Sequence, residues 1–120
     1  MNLKQEAEQF LKDKYDMVDF NSYQRSAVTT AIYPDQHKII YPALGMAGEA
    51  GEVANKVKKI LRDGNFNREA IADEVGDCLW YIAALCRDLE IDMAEVALKN
   101  LSKLKSRQER GTIQGSGDNR

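Results

Sequence analysis

The sequence predicts an all-α protein, and three observations carry that prediction. Apolar residues recur at spacings of three and four along nearly the whole chain, no stretch alternates as a half-buried strand would, and two prolines in 120 residues leave long runs free to be helical. A single domain of this length builds only a modest core, so burying further surface between copies would help it. The expected fold is a four- to five-helix bundle that assembles as a homo-oligomer.

The first helix is expected over roughly 2–15, and the turn DMVDF leads to a second over roughly 22–33. Asn21 as N-cap with Gln24 at the third helical position forms a capping-box pattern. Tyr33-Pro34 closes this helix, because the residue before proline avoids the α region. The loop PDQHKIIY then leads to Pro42, well placed in the first turn of a third helix that runs to about Arg62 and stops at Asp63-Gly64. Asn67 caps a fourth helix, to about Leu89, and Asp92 with Glu95 makes a capping box for a fifth, to about Arg107. The segment GTIQGSGDNR has turn residues and no periodicity. The chain therefore divides into one helical domain, 1–110, and a flexible tail, 111–120.

With 17 basic and 19 acidic residues the net charge is −2, which gives no bulk attraction to nucleic acid or anionic lipid. No run approaches the roughly 18 apolar residues of a membrane span, and the N-terminus MNLKQEAEQFLKDKYD is too charged for a secretory signal. Cys78 and Cys86 fall eight residues apart in one expected helix, about 12 Å along its axis, so they cannot bond to each other. A reduced, cytoplasmic setting is the simpler reading.

The stretch GMAGEAGEVANKVKK, residues 45–59, places three glycines inside an expected helix, each costing about 1 kcal/mol relative to alanine. The fourth helix echoes it. EAGE at 49–52 and EVGD at 74–77 each hold an acid, a glycine two residues on and a second acid at i+3. On a helical wheel with Glu49 at zero, Val53, Val57 and Ile60 fall at about 40°, 80° and 20°, and Glu52 at about 300°. With Glu74 at zero, Cys78, Ile82, Leu85 and Asp77 take the same angles. Glu49, Glu52, Glu74 and Asp77 therefore lie in, or at the edge of, the stripe that faces the core. Four carboxylates gathered there repel one another unless a cation shares the site, and acid pairs on facing helices suit a hard divalent ion such as Mg²⁺. The glycines at 45, 48, 51 and 76 would let a neighbouring backbone or a phosphate approach closely. A lone ExxE is usually a solvated face; two in core register with the same internal glycine are much harder to attribute to accident. A di-iron bundle needs Glu-x-x-His motifs, and the one histidine, His37, lies in a loop; zinc sites fail for want of Cys and His ligands.

Lys56, about 20° from Glu49 on the wheel, could neutralise a carboxylate or touch a phosphate, and a surface lysine is an equally good reading. Asn100, Lys103 and Arg107 form one polar stripe on the fifth helix, suited to phosphate, although a solvated amphipathic helix explains the two basic residues nearly as well. Tyr81, four residues after Asp77, shares the acidic face and could pack on a base or ribose, whereas Trp80 points toward core or a subunit interface.

GEAGEV followed by DEVGDCLWYIAAL resembles the MazG-like all-α nucleoside triphosphate pyrophosphohydrolases, whose signature is ExxE, a variable spacer and ExxD. The likeness extends from FNSYQ through YPALGMAGEAGEV to NLSKLKSR, about three quarters of the chain. It implies hydrolysis of a nucleoside triphosphate, ribo or deoxy, between its α- and β-phosphates to monophosphate and pyrophosphate. The four acids would bind Mg²⁺, with Mn²⁺ as a substitute. Glu49 or Glu52 would orient or deprotonate the attacking water, and Lys56, Tyr81, Asn100, Lys103 and Arg107 would contact the substrate. House-cleaning of noncanonical or excess nucleotides is the implied role, and a homodimer or homotetramer the implied assembly. Neither nucleic acid nor membrane is an expected partner. The competing reading is a helical module of the same fold that binds nucleotide or protein without turnover; the basic stretch 99–110 lacks the interleaved aromatics of a nucleic-acid face.

Overall fold

The computed structural model describes residues 2–14 and 19–120, and every described element is helical. The helices are α1 (Leu3–Lys14), α2 (Phe20–Ala27), α3 (Ile40–Asp63), α4 (Arg68–Asp88) and α5 (Met93–Glu109), with short 3₁₀ turns at Val28–Thr30 and Asp35–His37. Most of the expected turn DMVDF, with Tyr15 at the end of the first helix, lies outside the described residues. α3 and α4 form an antiparallel hairpin, and α2 packs across α4 and α5.

Two local signals act differently from the sequence reading. α2 starts two residues early, because Asp19 caps it: its Oδ1 accepts from the Ser22 N–H at 2.7 Å, and Ser22 Oγ accepts from the Asp19 N–H at 2.8 Å. This leaves Asn21 and Gln24 free for another helix. Asp92 makes no side-chain cap for α5. The Met93 N–H donates to Gln24 Oε1 at 3.1 Å and the Ala94 N–H to Asn21 Oδ1 at 3.0 Å, so two amides three residues apart on α2 satisfy donors that α5 would otherwise leave orphaned. Gln24 also donates to the Ile91 carbonyl at 3.0 Å, and its burial is offset by this full set of partners. α2 ends before Tyr33-Pro34: the Thr29 and Thr30 hydroxyls donate to the carbonyls of Ser26 and Ala27, competing with helical pairing.

The other boundaries agree with expectation. Gly64, in the left-handed conformation at φ 71°, ends α3, and the Asn67 side chain accepts from the Ala70 N–H at the start of α4. Among the described residues the core cluster is Ala27, Ala83, Cys86 and Met93, flanked by Tyr23, Leu79, Trp80, Ile82 and Ile91. Trp80 belongs to it, its indole N–H donating to the Ala27 carbonyl and to Thr30 Oγ1. Both cysteines are free thiols.

Residues 111–120 fold back on the end of α5. Arg107 is buried and donates to the Asp118 carbonyl at 2.9 Å, while the Arg120 guanidinium donates to the carbonyls of Thr112, Ile113 and Gly117. The chain is open nonetheless. Its radius of gyration is 17.1 Å, against about 14 Å for a compact chain of this length. Its accessible surface is 9087 Å², against about 6,500 Å² for a compact monomer.

Candidate metal centre

The acid-bearing faces of α3 and α4 meet, as their common register requires. Glu49, Glu74 and Asp77 each present a carboxylate oxygen such that all three lie within 4.8 Å of one another. Glu49 and Glu74 are half-buried and Asp77 is exposed, so the cluster sits at the mouth of the α3–α4 seam. Glu52 stands outside it and is solvent-exposed. Lys56 enters instead, with its ammonium 3.5 Å from Glu74. A fourth carboxylate would add repulsion, and a single lysine has little to offset it with.

The cluster favours the protonated form of Glu49. The Glu49 carboxyl is raised above its ordinary value, first by a hydrogen bond shared with Glu74, then by desolvation and by the negative charges of Asp77, Glu74 and Glu52. Clustered carboxylate oxygens whose like charges repel are the donor set that a hard divalent cation takes, so these residues fit Mg²⁺.

Tyr81 is at the site. An added Cβ at Gly45 would overlap its ring, which places the tyrosine directly against the α3 backbone one turn before Glu49. Burial raises its hydroxyl pKa, as do Tyr41, Glu49 and Asp77 beside it. The sequence missed its aromatic neighbours: Tyr33 stacks on Tyr41 at 4.8 Å between ring centroids, and Tyr41 lies 6.3 Å from Tyr81. Tyr41 and Tyr81 are 40 residues apart in sequence, and the packing of α3 on α4 unites them.

Of the close-approach glycines, Gly45 alone meets a neighbour. A Cβ at Gly48, Gly51 or Gly76 would touch nothing within 4 Å. α5 does not join the site within the protomer, since it packs on α2 and α4. Asn100 and Lys103 are exposed, as are Leu101 and Leu104 beside them, while Arg107 is turned into the fold of 111–120.

A helical protein with a carboxylate cluster on two facing helices is a candidate cation-dependent enzyme, and comparison with known proteins narrows the class. The model of the MazG nucleotide pyrophosphohydrolase domain matches residues 39–112, which span α3, α4 and α5, and the chain belongs to that family. It is also 48% identical to the Gene 37 protein of Mycobacterium phage L5, over 82% of this chain and 96% of that relative. No solved structure matches it significantly.

Proposed function

We propose that the chain is a Mg²⁺-dependent nucleoside triphosphate pyrophosphohydrolase that cleaves ribo- or deoxynucleoside triphosphates between the α- and β-phosphates, releasing monophosphate and pyrophosphate. The observation that carries this reading is the three-carboxylate cluster, in a chain of a nucleotide pyrophosphohydrolase family. A divalent cation held there would offset triphosphate charge and acidify water at the site. Glu49, Glu74 and Asp77 are the residues that would hold it.

Glu49 and Glu52 divide the remaining work. Glu49 keeps a proton to higher pH than an ordinary glutamate, and so serves as a ligand that gives that proton up on loading. Glu52, exposed one turn further along α3, is free to orient and deprotonate the attacking water, or to complete the coordination as a fourth ligand. Lys56 supplies positive charge at the edge of the cluster, where phosphate oxygens would lie. Tyr81 offers a ring beside the same acids for a ribose or base.

What the chain leaves uncovered supports an assembly of copies. Leu44 (68% exposed) and Leu61 (88% exposed) line the face of α3 turned away from the acids, together with exposed Ala47, Ala50 and Ala54. A second copy of the chain covers this face in our reading. It would also bring Asn100 and Lys103 of one protomer within reach of phosphates held by another.

Product analysis tests the activity: protein and Mg²⁺, or Mn²⁺, with a panel of ribo- and deoxynucleoside triphosphates, with EDTA as control. Monophosphate plus pyrophosphate, abolished by EDTA, is the expected result. Diphosphate plus orthophosphate, or no product from folded protein, would refute the reading.

A further inference from the structure

The acid cluster depends on how α3 lies along α4. Glu49 is on one helix and Glu74 and Asp77 on the other, so a slide of a few ångströms along the seam would separate them. One end of the hairpin is fixed by the short connection 64–67. The other end is where α3 begins, and its geometry is unusual.

Ile39 immediately precedes α3 with φ 70° and ψ −55°. The Ile40 N–H donates to the Lys38 carbonyl at 2.7 Å, so residues 38–40 form a tight γ-turn of the strained, positive-φ kind. A β-branched residue seldom occupies this region, and it persists only where the surroundings impose it. The agent here is Asp88, at the end of α4. Its Oδ2 accepts from the Ile39 N–H at 3.0 Å and from the Tyr33 hydroxyl at 2.7 Å, and its Oδ1 accepts from Arg87 Nε at 3.0 Å. The Asp88 side chain is fully buried, and every one of these partners is a donor. Arg87 Nη2 also donates to the Tyr33 hydroxyl at 3.0 Å, which closes the network.

From this anchor a continuous set of contacts runs to the acids. Tyr33 stacks on Tyr41, Tyr41 packs toward Tyr81, and Tyr81 lies against Gly45, one turn before Glu49. Glu49 itself is ten residues beyond Ile39, about 15 Å along α3.

We propose that Asp88 is a positioning residue for the metal centre: by holding Ile39 in its strained turn, it fixes the register of α3 on α4 and so brings Glu49 to Glu74 and Asp77. Asp88 touches neither cation nor substrate in this account. The inference rests on the cation-dependent reading above, and the experiment separates the two.

Mn²⁺ affinity by calorimetry, kcat and KM for a nucleoside triphosphate, and the unfolding temperature are measured for wild type, Asp88→Ala, Ile39→Gly and the double variant. Asp88→Ala is expected to weaken Mn²⁺ binding and kcat/KM by about tenfold, a factor in keeping with release of one strained backbone residue. Glycine adopts positive φ without strain, so Ile39→Gly in the Asp88→Ala background should restore both to within about threefold of wild type. A residue that only packs the end of α4 would lower the unfolding temperature but would not be rescued at position 39. Unchanged Mn²⁺ binding in folded Asp88→Ala, or no recovery in the double variant, overturns the inference alone. Should Asp88→Ala not fold, Asp88→Asn, which cannot accept from all three donors, takes its place in the same comparison. Wild-type protein that binds no Mn²⁺ overturns the cation-dependent reading and this inference with it.

Discussion

The two acidic quartets, EAGE on α3 and EVGD on α4, are nearly identical in sequence and in wheel register, yet the structure treats them differently. Both acids of the second quartet enter the cluster, whereas only the first acid of the first quartet does. Register brought all four to the same seam. What separates Glu52 from Asp77 is placement: both are exposed, but only Asp77 brings a carboxylate oxygen within 4.8 Å of those of Glu49 and Glu74. The wheel therefore identifies which residues can reach a seam, and the packing of the two helices decides which of them meet.

This difference predicts two kinds of loss. Glu74→Gln or Asp77→Asn should lower Mn²⁺ affinity and turnover together, by about a thousandfold in kcat/KM, since a cation contributes several kcal/mol to phosphoryl transfer. Glu52→Gln should lower kcat by about a hundredfold, in the range of a general base, while Mn²⁺ binding stays within a few-fold. Calorimetry beside steady-state kinetics reads the split. If Glu52→Gln loses Mn²⁺ as completely as Asp77→Asn, all four acids are ligands and the asymmetry between the quartets vanishes on loading.

The helices and the acid pairs were legible in the sequence because both depend on period alone. Gly64 and Asn67 act within one helical turn, and they sit where the pattern put them. Asn21 and Gln24 were misread for the opposite reason. As residues they make a plausible local cap, but Asp19 outcompetes them and α5 receives their side chains some 70 positions later in the chain. The Tyr33–Asp88–Ile39 network was invisible in the same way: each member is ordinary by itself, and only the closed hairpin makes a site of them. Arg107 looked like part of a polar stripe because periodicity cannot see that residues 111–120 fold over it.

The glycines sharpen the contrast next. Gly45→Ala should destabilise the protein by about 1–3 kcal/mol, the usual cost of overpacking, because the new methyl overlaps Tyr81. Denaturant unfolding measures it, and an undisturbed midpoint would show that the tyrosine is not held against α3.

A smaller effect follows from the proton on the cluster. Glu49 has its folded-state pKa raised above its ordinary value of 4.5, so the cation-free native state binds more protons than the unfolded chain between those two values. Its contribution to stability is fully present below pH 4.5 and is lost as pH rises through the raised value. Without divalent cation, thermal stability should therefore decline across that window. Glu49→Gln or added Mg²⁺ should flatten the decline, and a slope of the opposite sign would mean that the carboxylates are not in contact.

Gly51 is the mildest test and reaches furthest beyond the protomer. It sits in the middle of EAGE, yet a Cβ there meets nothing, so Gly51→Ala should stabilise the isolated helix pair by about 0.5–1 kcal/mol through helix propensity. The same glycine lies on the exposed face of α3 among Ala47, Ala50 and Ala54, where a second copy is proposed to dock. A more stable, fully active variant of unchanged mass by light scattering means that the face accommodates a methyl. A variant that loses mass or activity means that another backbone comes within a methyl's width of Gly51. The open glycine of the first quartet would then do between subunits what Gly45 does within one.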